Sequence, residues 1–194
     1  VSDKGHSFKY AHFNKDSPNT NKIKWHYHPE VELVYINTGV RKRQVGTHLS
    51  NYKDGDLIMI GSYLPHTGFT IGLEKNQKEI VLQFKPDIFE HAFKGLEELK
   101  VINQLLELSK KGIVFSGPIK DDIGMRMEGL KYETKIDAFL TFLKILYDLA
   151  KQKDRQILNA EGYAFISSPT ENKRLKTIFN YIRDHFMESI PLVD

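Results

Sequence analysis

The stretch Trp25-His26-Tyr27-His28-Pro29-Glu30-Val31-Glu32 places two imidazoles and a carboxylate, His26, His28 and Glu32, at one parity. Side chains of an extended strand alternate between faces, so three residues of one parity point the same way and converge. Imidazole and carboxylate suit Zn, Fe, Mn or Ni, and two His with one carboxylate around open positions is an oxygen-activating arrangement. Another imidazole, His66, follows the Gly55-Asp56 turn, the strand Leu57 to Ile60, and Gly61-Ser62-Tyr63-Leu64-Pro65. The same residues also have a plainer reading, as pocket-lining or core histidines without metal and a glutamate held by hydrogen bonds. The chain has no cysteine. That excludes disulfide frameworks, thiolate zinc sites, iron-sulfur clusters and cysteine nucleophiles together, so any metal rests on His, Asp or Glu. No residue is assigned a catalytic role.

Bringing these groups together requires a sheet. From Ile23 to about Phe84 short apolar runs alternate with turn residues: Val31 to Ile36, Arg41 to Val45, Leu57 to Ile60 and Ile80 to Phe84, broken at Thr38-Gly39, Gly46, Asp54-Gly55 and Gly61. The run Val31-Glu32-Leu33-Val34-Tyr35-Ile36 is apolar on both parities after Glu32, and such a strand needs cover on both faces. Three helices supply cover downstream. Leu96, Leu99, Ile102, Leu105 and Leu106 recur at helical spacing up to Gly112. A weaker helix, containing Gly124 and Gly129, spans about Ile119 to Tyr132, and within Thr134 to Lys153 a broad stripe runs through Ile136, Phe139, Leu140, Leu143, Leu146, Tyr147 and Ala150. The fold class is therefore α+β, strands at barrel-like spacing followed by packed helices. The cluster Arg41-Lys42-Arg43 reads as a solvated strand edge with at least one side chain facing out, an anionic-ligand site being the alternative.

At 194 residues, 40% hydrophobic and 27% charged, the chain makes one globular domain plus at most part of a second. Its net charge of +3 is too small for a nucleic-acid groove. No stretch approaches the roughly 20 apolar residues of a membrane span, and the N-terminus lacks the layout of a signal peptide, so a cytoplasmic location is expected. Residues 159–171, with Gly162 and Ser167-Ser168-Pro169-Thr170, read as a linker. Beyond it, Leu175, Ile178, Phe179, Ile182 and Phe186 define one face of a helix from Asn172 to Met187, ahead of Ile190-Pro191-Leu192.

In residue types and spacing, His26-x-His28-x-x-x-Glu32-x-x-x-x-x-x-Gly39 resembles the first cupin motif, and Gly55 to His66 resembles the second, with Ile60-Gly61-Ser62-Tyr63-Leu64-Pro65 in place of the usual Pro-x-Gly-x-x before the histidine. Read with Leu64-Pro65-His66 and the helix rich in Lys173, Arg174, Lys176 and Arg183, the chain is similar to AraC-type bacterial transcription regulators. The resemblance implies an antiparallel double-sheet β-barrel of the cupin, or jelly-roll, type as sensor at 1–90, a helical dimerisation region at 91–158, a linker at 159–171 and, at 172–194, the first helix of a helix-turn-helix DNA-binding domain that the chain does not complete. It further implies a small-molecule effector, sugars and their derivatives among the classes, bound at His26, His28, Glu32 and His66, which in metal-binding cupins are the ligands of a divalent ion. The expected partners are a second copy of the chain and, through the missing C-terminal domain, operator DNA, which this chain alone does not grip. The alternatives are a metal-dependent cupin enzyme, such as a dioxygenase or isomerase, and a purely structural dimerisation module.

Overall fold

The computed structural model describes residues 7–19, 25–69, 73–89, 95–160 and 177. Two compact units are distinguished, Val1–Ala164 and Phe165–Asp194. The account that follows concerns the first; the linker beyond residue 160 and the helix expected from Asn172 lie outside the described residues, apart from Thr177.

In chain order the strands are β1 (Lys9–Asn14), β2 (Val31–Ile36), β3 (Arg41–Val45), β4 (His48–Tyr52), β5 (Asp56–Ile60), β6 (Lys78–Phe84), β7 (Ile113–Phe115) and β8 (Arg155–Ile157). Three helices interleave with the last of them: α1 (Lys100–Ser109), α2 (Pro118–Gly129) and α3 (Lys135–Lys151). The strands form a six-stranded sheet in the order β1-β6-β2-β5-β7-β8, antiparallel throughout, and a two-stranded hairpin sheet, β3-β4. The fold is α+β, as its sequence pattern predicts. The hairpin sheet meets the rest through isolated bridges at His66, and among the described residues the hydrogen-bonded ladder does not close into a complete ring.

Strand parity explains the layering. All six residues of β2 are buried. Val31, Leu33 and Tyr35 join Leu57, Met59, Ile80, Leu82 and Phe84 in a core shared with Ile102, Leu105, Ile123, Met127, Phe142 and Leu146 of the helices. Val34 and Ile36 instead join Ile58, Ile60 and Val81 in a second core with Val45 and Tyr52 of the hairpin. The large sheet is thus sandwiched, helices on one face and hairpin on the other, which answers the demand of β2 for cover on both sides.

Local chemistry sets the helix boundaries. Gly112, at φ +70, ends the turn after α1, its N–H donating to the Ser109 carbonyl. Pro118 opens α2 at a position where a missing N–H costs nothing, and Thr134 caps α3 by accepting from the Asp137 N–H at 3.3 Å. Gly124, a poor helix residue, is there because the Tyr35 ring lies against it: a Cβ would come within 2.1 Å of Tyr35 Cζ.

Four features depart from the sequence reading. Strands β1, β4, β7 and β8 were not in the predicted set, and the last two carry the large sheet into the stretch expected to be helical. The buried face of α3 is Phe142, Ile145, Leu146 and Leu149, rotated from the predicted stripe, of which Ile136, Leu140 and Tyr147 stay exposed. The basic cluster is not simply a solvated edge: Lys42 faces out, but Arg43 is buried, its Nη1 donating to both Asp56 oxygens at 2.6 Å and its Nε to Ser50 Oγ. Asn159, at the start of the predicted linker, is itself buried. Its amide nitrogen donates to the carbonyls of Val45 and Lys111, and its oxygen accepts from Thr47 N and Oγ1.

Candidate metal centre

The backbone brings the histidines together before their side chains do. His26 and His66 exchange both backbone hydrogen bonds, at 3.0 and 2.9 Å, forming one antiparallel pair. Tyr63 N donates to the His28 carbonyl at 2.8 Å, so the segment 26–28 is zipped along 63–66. On the other side of His66, Gly46 N donates to the Pro65 carbonyl and Thr67 N to the Gln44 carbonyl. Tyr63 holds a left-handed backbone, φ 59, three residues before His66, a conformation a tyrosine keeps only where its surroundings enforce it. Gly61 is required for another reason: a Cβ there would lie 2.5 Å from Lys110 N, where the chain packs on the end of α1.

The geometry corrects how the residues converge. They do not share one strand, because β2 begins at Val31, after the bend at Pro29-Glu30, and His26 and His28 precede it. His26 and His28 reach the site through their pairing with 63–66, whereas Glu32 projects from β2 itself. One ligand nitrogen from each of His26, His28 and His66 lies within 4.8 Å of the others. Ring centroids are 4.3 Å apart for His26 and His66, 5.1 Å for His28 and His66, and 5.7 Å for His26 and His28. Glu32 borders this group: its Oε2 is 3.2 Å from His28 Nε2, and its Oε1 is 3.9 Å from His66 Nε2.

The outer nitrogen of two rings is anchored by a backbone carbonyl. His66 Nδ1 donates to the Leu64 carbonyl at 2.8 Å and His28 Nδ1 to the Glu30 carbonyl at 3.1 Å, which turns both Nε2 atoms toward the cluster. Burial pushes the His66 imidazole down to about 4, against the pull of Glu32, so near neutral pH His66 is uncharged and its Nε2 carries a lone pair. That buried nitrogen has no hydrogen-bond partner among the described residues. For Glu32, burial acts to raise the carboxyl, but the hydrogen bond with His28 and the neighbouring imidazoles outweigh it and hold it down at about 2. For His28, burial acts to lower the imidazole, and Glu32 overrides this to raise it above its ordinary value.

An imidazole lone pair buried without a donor costs free energy unless something occupies it. The donor set of three imidazole nitrogens beside an ionised carboxylate, with two Nδ1–H groups held by carbonyls, fits a divalent ion of the Zn, Fe, Mn or Ni type. All four residues singled out in the sequence meet here. One that sequence reading missed is Gln83, whose Nε2 donates to Glu32 Oε2 at 2.6 Å from directly across the β2–β6 ladder. Its only signal was a lone polar side chain inside the apolar run Ile80-Val81-Leu82-Gln83-Phe84. Phe69, buried and lying nearly parallel to the His66 ring at 6.3 Å, was also missed.

No family model matches the chain. No curated protein sequence matches it either. Among solved structures, similarity is found to a cupin 2 conserved barrel domain protein from Rhodopseudomonas palustris, at 18% identity and TM-score 0.29 over 44% of this chain and 56% of that one. ToxT from Vibrio cholerae matches at 9% identity and TM-score 0.41, over 95% of this chain and 68% of that one. Streptomyces albus HEPD, with 2-hydroxyethylphosphonate and Fe(II) bound, matches at 11% identity and TM-score 0.33, over 87% of this chain and 48% of that one.

Proposed function

We propose that this chain is the effector-sensing and dimerisation part of an AraC-type transcription regulator, and that it holds a divalent metal at which a small molecule is read without turnover. The observation that carries the metal assignment is the buried, partnerless Nε2 of His66, fixed in its tautomer by the Leu64 carbonyl and aimed among two further imidazoles. His26, His28 and His66 would hold the ion, with Glu32 beside them. A bound ion would supply a Lewis-acidic position for an oxygen or nitrogen donor of the effector. The hydrophobic layers around β2 and β5 exclude water from the inner side of the site, and the carbonyls of Glu30 and Leu64 orient two of the rings.

The regulator reading rests on the sequence resemblance of the histidine motif and of the helix expected after residue 172. The apolar residues exposed along α3, Ile136, Leu140 and Tyr147, support a second copy of the chain as partner. Metal analysis of protein purified without an affinity metal tests the first part: about one divalent ion per chain is expected in wild type and little in His66→Ala. Gel-shift titration of this chain beside the complete gene product, at fixed salt, tests the second, with operator binding expected only of the latter. Iron together with oxygen consumption on a candidate substrate would replace this reading with a metal-dependent cupin enzyme, a dioxygenase or an isomerase.

A further inference from the structure

We infer that Gln83 is a positioning residue which confines Glu32 to a single free oxygen and so keeps one coordination position of the metal open for the effector. The inference rests on the metal reading above. The register pairs Glu32 with Gln83 across the β2–β6 ladder, so the two side chains share a face and are neighbours by construction. The amide donates to Oε2 at 2.6 Å, and the same oxygen lies 3.2 Å from His28 Nε2. Oε2 is therefore held by the Gln83 amide, and stays held when His28 Nε2 turns from the carboxylate to an ion, whereas Oε1 faces the partnerless His66 Nε2 from 3.9 Å.

A carboxylate can give a metal one oxygen or both. With one oxygen tied to a neutral amide donor, Glu32 cannot swing both onto the ion without breaking that hydrogen bond in a buried setting, where an abandoned partner is costly. The three imidazoles share the cluster and Glu32 borders it; with one oxygen added from Glu32, an ion of the Fe, Mn or Ni type is two ligands short of six. Without the amide, Glu32 is free to fill one of those positions itself. The ligand class this favours is an anionic oxygen or nitrogen donor, drawn to an ion whose charge a single buried carboxylate only half neutralises.

The test uses the full 194-residue chain, stripped with chelator and reloaded with Co(II), whose visible absorption reports ligand number, with azide as probe of the open position. In wild type, azide is expected to change the Co(II) spectrum in a saturable way. Gln83→Met keeps the length of the side chain but has no donor; here the spectrum before azide should shift and azide affinity should fall by about tenfold or more, the scale of outer-shell effects on metal sites. Adding Glu32→Gln to Gln83→Met should restore azide binding, a rescue that a merely structural role for Gln83 does not predict. Azide affinity within twofold of wild type in Gln83→Met, or Co(II)-loaded wild type blind to azide, overturns the inference while leaving the metal site standing. A wild-type chain that takes up no Co(II) overturns the metal reading and this inference with it.

Discussion

Acidifying the metal-free protein isolates the burial of His66. The folded imidazole protonates near 4 and the unfolded one near 6.5, so between those values the unfolded chain binds a proton that the folded chain refuses. Stability contributed by the neutral ring is therefore complete above about 6.5 and is lost as the pH falls toward 4. Each pH unit in that window is worth about 1.4 kcal/mol, or about 3 kcal/mol across the whole of it. Against the 5–15 kcal/mol typical of a folded domain this is a large share. Glu32 acts in a lower window, since its depressed carboxyl contributes stability above 4.5 that is lost as the pH falls toward 2. His28 acts with the opposite sign: its raised imidazole contributes below its unfolded value and loses that contribution as the pH rises through the folded one. His66→Asn serves as reference, because the amide still donates toward the Leu64 carbonyl but does not titrate. Urea unfolding of chelator-treated wild type and His66→Asn at pH 7, 6, 5 and 4.5 should show wild type losing about 2 kcal/mol relative to the variant, most of the full effect. If the cluster takes a divalent ion as proposed, adding that ion should steepen the wild-type profile, since ligation needs neutral imidazoles. Parallel profiles from pH 7 to 4.5 would refute the argument that His66 is held neutral by burial.

Three other outcomes follow from the packing. Asp56→Asn leaves the buried Arg43 guanidinium without its counter-charge and should cost about 3–5 kcal/mol in denaturant titration, whereas Arg43→Met with Asp56→Leu should recover most of it. If two copies pair through α3 as proposed, Leu140→Glu, at a side chain 54% exposed there, should sediment as a monomer where wild type sediments as a dimer, while moving stability by no more than about 0.5 kcal/mol. Gly124→Ala, although alanine is the better helix former, should destabilise by about 1–3 kcal/mol, because the new methyl meets the Tyr35 ring; thermal melting reads the sign.

Period and parity made the sandwich legible: the doubly apolar run Val31 to Ile36 announced two covered faces, and both exist. Strand β1 was missed because Lys9, His12 and Asn14 blur its alternation, and β7 because three residues between a glycine turn and a helix are too few to show a period. In α3 the apolar residues run almost all the way round, so periodicity alone could not fix which of them face the core. At the site, residue types and spacing identified the four groups, but the reason first given for their convergence, one continuous strand, was wrong. Pro29 and Glu30 bend the chain, and the convergence comes from the pairing of His26 with His66, a contact between segments 40 residues apart that no local pattern encodes. Arg43 was misjudged for the same cause: it looks solvated until the packing of the two sheets sets it against Asp56.

The bonds of Asn159 also have a consequence in time. Its side chain reaches back across 112 residues to Thr47 and 114 to Val45, and contacts of such separation close long loops and slow folding. At translation rates of about 5–20 residues per second, on the order of ten seconds separate the synthesis of Thr47 from that of Asn159. His26, His28, Glu32, His66 and Gln83 have all emerged long before then. During that interval the carbonyl of Val45 and the amide of Thr47 lack their Asn159 partner. The nascent chain holds every residue of the candidate metal centre well before it holds the one that seals the hairpin over it.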